Sequence, residues 1–145
     1  MHTIEIPVRY AETDMMGIVY HSNYLVYLEL ARTELIQSLG LDYKEMEDAG
    51  YVSPVTNVNL DYKRSLTYGD TAVVTVWIDH YDGLRTIYGY TVKHPDGKLA
   101  VSAKTTHVVV KKENFRPIRL PKVFPNWHEI YEKMSVTDAA LLTEA

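Results

Sequence analysis

The chain has 145 residues, 46% of them hydrophobic and 23% charged, with a formal net charge of −4. That is one globular domain with room for a substantial core, and its acidity argues against a general nucleic-acid binder. The absence of cysteine excludes disulfides, thiolate metal sites and cysteine nucleophiles. No apolar run approaches the roughly 18 residues of a membrane span, and MHTIEIPVRY lacks a signal-peptide pattern, so a cytoplasmic protein is expected.

A first strand is expected over Thr3 to Tyr10, where Ile4, Ile6 and Val8 alternate. A polar loop carrying Asp14 follows, then a long helix. Tyr24, Leu28, Ala31 and Leu35 fall on one helical face, and Leu25, Val26, Tyr27 and Leu30 make the first half apolar nearly all round. Such a helix is expected to be wrapped by other structure. Ser22 or Asn23 can cap its start, and Gly40 its end. A shorter acidic helix, Asp42 to Ala49, ends at Gly50 and is expected over the sheet edge.

From Val52 the chain reads as strands. In Val55–Lys63, Val58, Leu60 and Tyr62 alternate with Asn57, Asn59, Asp61 and Lys63; in Thr71–Asp79, Ala72, Val74, Val76 and Ile78 share a face. Leu84–His94 and Lys98–Lys112 complete the set, joined through Asp82-Gly83 and Asp96-Gly97 turns that mark antiparallel hairpins. Asn126 to Met134 predicts a short closing helix, and Ser135–Ala145, with no clear partner, is expected to fray. The layout is α+β: a five-stranded curved antiparallel sheet around one long central helix, in a single domain over residues 1–134 with a tail at 135–145. A single sheet with an uncovered edge or face predicts a homo-oligomer.

Charge is unevenly spread. Residues 1–50 hold three basic and nine acidic side chains, whereas residues 104–122 hold six basic ones against Glu113 alone. That basic stretch suits a phosphorylated small molecule or an acidic partner, and equally a solvated strand end. There is no nucleophile elbow, Walker loop, dinucleotide fingerprint or zincin motif, and the six histidines show no metal-ligand spacing. Asp14 remains, in a loop ahead of an apolar helix whose first N–H groups can stabilise an oxyanion. Read alone, Asp14 is either a turn-capping side chain or a reactive carboxylate. Glu29, within the apolar helix, is either an ion-pair partner of Arg32 or of another strand, or a rival catalytic carboxylate.

The run Thr13-Asp14-Met15-Met16-Gly17-Ile18-Val19-Tyr20-His21-Ser22-Asn23-Tyr24 resembles the active-site signature of the 4-hydroxybenzoyl-CoA thioesterase family, T-D-x-x-G-[IV]-V-[YW]-[HN]-x-x-Y after a strand. Glu29 to Glu34 and the Gly69-Asp70 turn resemble its bacterial acyl-CoA thioester hydrolase branch. The likeness spans about residues 4–134; Pro7 departs from the Gln or Arg often found there.

The resemblance implies a hotdog fold, and hydrolysis of an acyl-CoA thioester to free acid and coenzyme A with no metal or other cofactor. It implies a homodimer or homotetramer. Asp14 matches the essential carboxylate, as nucleophile or general base, Gly17 the tight turn beside it, and the His21 N–H the donor to the thioester oxygen. The His21 side chain is left between substrate contact and a structural role. Tyr20 and Tyr24 are expected in the core or the pocket wall rather than as catalysts. Asn57 and Asn59 are expected at a partner subunit or pantetheine tunnel, and Lys63, Arg64, Arg85 and Lys104 are candidates for the coenzyme A phosphates. The alternative is a non-catalytic scaffold binding acyl-CoA or acyl carrier protein; as a substrate donor, an acyl carrier protein would dock on residues 104–122.

Overall fold

A computed structural model describes residues 1–144. The elements run β1 (His2–Pro7), α1 (Tyr24–Ser38), α2 (Tyr43–Asp48), β2 (Tyr51–Val52), β3 (Val55–Tyr62), β4 (Thr71–Tyr81), β5 (Arg85–Lys93), β6 (Leu99–Val108), β7 (Val110–Lys111), α3 (Leu120–Val123) and α4 (Pro125–Glu144). Five strands form one antiparallel sheet in the order β1-β4-β5-β6-β3. Two edges result, and β3 is one of them.

The core follows the two apolar periods. Ala72, Val74, Val76 and Ile78 of β4 are all buried, and so are Tyr24, Leu28, Ala31 and Leu35 of α1, which packs across β4 and β1. Each large side chain taken from water contributes about 1.5–3 kcal/mol. Gly40, with φ of +77°, ends the helical run, its N–H donating to the Gln37 carbonyl. The start of α1 differs from expectation. A 3-10 turn, His21–Asn23, leads into it, and the Asn23 side-chain amide donates to the Glu12 carbonyl (2.8 Å) instead of capping the helix.

Three further expectations are corrected. The helix is not wrapped on most sides within this chain: Leu25, Val26 and Leu30 are 39%, 43% and 46% exposed, because the sheet meets one face only. On β3, Val58 and Tyr62 are exposed and Leu60 is half-buried, as the edge strand has nothing packed beyond it. The last long strand breaks at Val109, and β7 leaves the main sheet to pair with β2.

The C-terminal helix does not stop at Met134, and residues 135–144 are helical rather than frayed. Asp138, fully buried, accepts the Ile78 N–H of β4 at 2.9 Å and the Met1 amino group at 2.7 Å. That long-range anchor has no local signature, and Ala145 of the expected tail lies outside the described residues. Among the described residues no helix is long and apolar enough to cross a membrane.

Candidate active site

The loop between β1 and α1 is held from beneath by one buried carboxylate. Glu12 Oε1 accepts the Arg9 N–H (2.8 Å) and the Tyr27 hydroxyl (2.9 Å), and Oε2 faces the Arg9 guanidinium (3.2 Å). The Glu12 carbonyl accepts the Tyr20 N–H (2.9 Å) as well as the Asn23 amide. Burial alone would raise the Glu12 pKa, but these hydrogen bonds outweigh it and hold the carboxyl below its ordinary value. Burial, then the neighbouring Glu12 carboxylate, raises the Tyr27 pKa, so its hydroxyl stays a donor. Loop and helix are thereby one unit.

On this base sits a tight turn. The Gly17 N–H donates to the Asp14 carbonyl and the Asp14 N–H to the Ile18 carbonyl, both at 2.9 Å. Gly17 has φ of +82°, a conformation that side-chain-bearing residues rarely adopt. Asp14 Oδ1 accepts the Met16 N–H at 2.8 Å, while Oδ2 has no hydrogen-bond partner among the described residues. One oxygen caps the turn and the other is free. The turn-capping reading of this aspartate therefore holds, with its second oxygen left over.

The turn is stitched to the far end of β3. Val19 donates to the Leu66 carbonyl (2.8 Å), the Leu66 N–H donates to the Tyr24 hydroxyl (3.3 Å), and the Tyr62 hydroxyl donates to the His21 carbonyl (3.0 Å). A cleft of about 260 Å³ results, walled by Asp14, His21, Tyr24, Tyr62, Lys63 and Arg64. Burial raises the pKa of both Tyr24 and Tyr62, so both remain neutral phenols. As first residue of its 3-10 turn, His21 has an N–H without an intrahelical acceptor, and no other acceptor meets it among the described residues.

Residues 8–128 match the model of the thioesterase-like superfamily. The chain belongs to that superfamily. A protein of Bacillus subtilis named "Putative acyl-CoA thioesterase YneP" is 54% identical over 129 residues, 89% of this chain and 94% of its own length. The 1,4-dihydroxy-2-naphthoyl-CoA hydrolase of Thermosynechococcus vestitus is 26% identical over 121 residues, 83% of each chain. Among solved structures, the DHNA-CoA thioesterase of Staphylococcus aureus superposes with a TM-score of 0.92 at 41% identity, covering 96% of this chain and 93% of that one. The expected hotdog fold and thioester-hydrolase class are borne out.

Of the residues singled out from sequence, Asp14, His21, Tyr24, Lys63 and Arg64 come together, with Gly17 shaping the turn. The others stand apart within this thioesterase chain. Tyr20 is exposed beside the His21 ring, with centroids 4.3 Å apart. Asn57 and Asn59 are exposed on β3, in register with Thr106 and Lys104. Lys104 pairs with Asp79 at 3.0 Å. Arg85 lies at the β4–β5 turn, whereas the Asp14 loop adjoins the start of β4; at about 3.3 Å per residue the length of β4 puts them roughly 30 Å apart. Glu29 is exposed and makes no ion pair with Arg32, which donates instead to the Tyr90 hydroxyl (3.1 Å).

Glu12 and Tyr27, which hold the Asp14 loop to α1, are the supports that sequence reasoning missed. The Arg9–Glu12 spacing was a local signal; the bond to Tyr27, fifteen residues on, was not.

Proposed function

We propose that the protein hydrolyses acyl-CoA thioesters, using Asp14 as nucleophile or general base. The observation that carries this reading is the unpartnered Oδ2 of Asp14 in a cleft that also holds His21, Lys63 and Arg64. A thioester carbonyl seated there meets a carboxylate on one side and the free His21 N–H on the other. As nucleophile, Asp14 forms a mixed anhydride and expels the coenzyme A thiolate, and water then cleaves the anhydride; as base, it takes a proton from the attacking water. Either course yields free acid and coenzyme A. The His21 N–H stabilises the oxyanion, a contribution of about 10²–10³ in rate for such donors. No metal or cofactor enters these steps.

The exposed Lys63 and Arg64 are the chain's proposed contacts to the coenzyme A phosphates. A second copy of the chain is proposed to cover the free edge of β3 and the exposed Leu25, Val26 and Leu30 of α1, bringing Asn57 and Asn59 to the subunit boundary. The narrower kinship with 4-hydroxybenzoyl-CoA thioesterases rests on the Thr13–Tyr24 motif, and an aromatic acyl group is its corollary. The test is thiol release from a panel of aliphatic and aromatic acyl-CoAs. Turnover of at least one class is expected; tight acyl-CoA binding with no turnover of any would identify a scaffold instead.

A further inference from the structure

A second cavity, of about 350 Å³, lies under the C-terminal half of α1, against β5, β6 and α4. It shares no wall residue with the Asp14 cleft. His107 in its wall pairs with Val55 at the start of β3, whereas Tyr62 of the cleft pairs with Val101. Six residues of β6 separate the two, about 20 Å of strand.

Its walls combine flat aromatic surface with two cations, Arg32 and Lys44, neither of them in an ion pair among the described residues. Tyr88, Tyr131 and Trp127 supply the rings. Arg32 enters from α1, half-buried, with its guanidinium carbon 6.0 Å from the Tyr88 ring centre and one bond to the Tyr90 hydroxyl. No carboxylate lies within ion-pair distance of Arg32 among the described residues. Glu29 is on the wall but unpaired with it, and Asp42 accepts the Lys44 N–H as the cap of α2.

Behind Arg32 the polar groups satisfy one another. The Tyr90 hydroxyl meets Thr105 Oγ1 at 2.6 Å, Thr105 meets His107 Nε2 at 2.9 Å, and the Tyr88 and Tyr131 hydroxyls pair together. Burial, aided by the Arg32 charge, lowers the His107 pKa to about 4, so the imidazole is neutral and adds no positive charge beside Arg32. A guanidinium offers five donors, and among the described residues this one makes a single hydrogen bond, to a neutral phenol. An anion with a flat apolar body completes the site. An apolar cavity of about 150 Å³ already admits benzene, so one or two rings fit here.

We propose that this cavity binds a one- or two-ring aromatic carboxylate, with its acid group on Arg32 and its ring against Tyr88 and Trp127. The proposal does not rest on the role of Asp14. Its test is titration of the full chain with benzoate and 2-naphthoate, following the two indole N–H signals by heteronuclear NMR. Trp127 lines the cavity, whereas Trp77 lies on the outer sheet face with its N–H on Asp79 (3.0 Å), and Trp127→Phe assigns the pair.

A saturable shift of the Trp127 signal is expected, with Trp77 unmoved and Asp14→Asn behaving as wild type. Arg32→Gln should weaken binding by about tenfold or more, and cyclohexanecarboxylate should bind more weakly than benzoate. Arg32→Lys keeps the charge but loses the fork, and should also weaken binding if the glutamine variant fails to fold. Absence of a saturable Trp127 shift, or unchanged affinity in a folded Arg32 variant, would overturn the proposal. So would loss of the shift in Asp14→Asn, because the acid would then be bound in the other cleft.

Discussion

Replacing Glu12 tests whether the loop and α1 are one unit. In Glu12→Gln the amide oxygen can still accept from Arg9 and Tyr27, so two charge-assisted bonds become neutral ones. Bonds to charged groups contribute about 1.5–3 kcal/mol net and neutral ones about 0.5–1.5, so the loss is about 2 kcal/mol. Little of it comes from the ion pair, since the Arg9 side chain is 74% exposed. Glu12→Ala is more severe: it strands the Arg9 N–H and the Tyr27 hydroxyl, at about 1–3 kcal/mol each, or about 4 together.

Urea unfolding at fixed protein concentration reads these values. With a slope of about 2 kcal/mol/M, the midpoint falls by about 1 M in Glu12→Gln and about 2 M in Glu12→Ala. Tyr27→Phe supplies the decisive arm. Alone it should destabilise by about 1–2 kcal/mol, but on the Glu12→Ala background it removes a hydroxyl already stranded and should restore stability. Strict additivity of Glu12→Ala and Tyr27→Phe would refute the clamp.

Other consequences are as concrete. His107 is neutral in the folded state, with its pKa lowered to about 4 from 6.5, so the unfolded chain binds the extra proton as pH falls between those values. Stability should fall on acidification through that window by at most about 3 kcal/mol, and thermal melts of His107→Gln should show a flatter pH profile. The Glu12 contribution is present above its ordinary value of 4.5 and is lost below it, as pH falls through the lowered folded value. Gly17→Ala places a Cβ in open space but at φ of +82°, so the cost is backbone strain of about 1–2 kcal/mol. Its kcat should drop by about tenfold or more, a larger effect than its shift in Tm, because the strain falls on the turn that carries Asp14. Asp138→Ala should strand the Ile78 N–H and release α4 from β4, at a cost of about 1–3 kcal/mol in chemical denaturation.

Local periodicity made most of the scaffold legible. The alternation of Ala72, Val74, Val76 and Ile78 and the helical spacing of Tyr24, Leu28, Ala31 and Leu35 each state a buried face without outside information. The contiguous run from Thr13 to Tyr24 made the core of the site legible too, since its turn, carboxylate and helix mouth are neighbours in sequence. Pairings between distant segments escaped. Tyr27 with Glu12, Asp138 with Ile78, and Tyr62 with His21 each join polar groups far apart in the chain, and no spacing rule names such partners. The same blindness hid the break at Val109, where buried residues continue although the strand changes partner from β5 to β2.

The most direct test of the central claim is the rate of acyl-CoA hydrolysis by Asp14→Asn, with acyl-CoA binding measured on the same sample. Asparagine keeps the shape and the Met16 bond while removing the nucleophile or base, so kcat should fall by at least about a hundredfold with binding retained. Turnover within a few-fold of wild type, particularly alongside a dead Glu29→Gln, would show that another carboxylate does the chemistry.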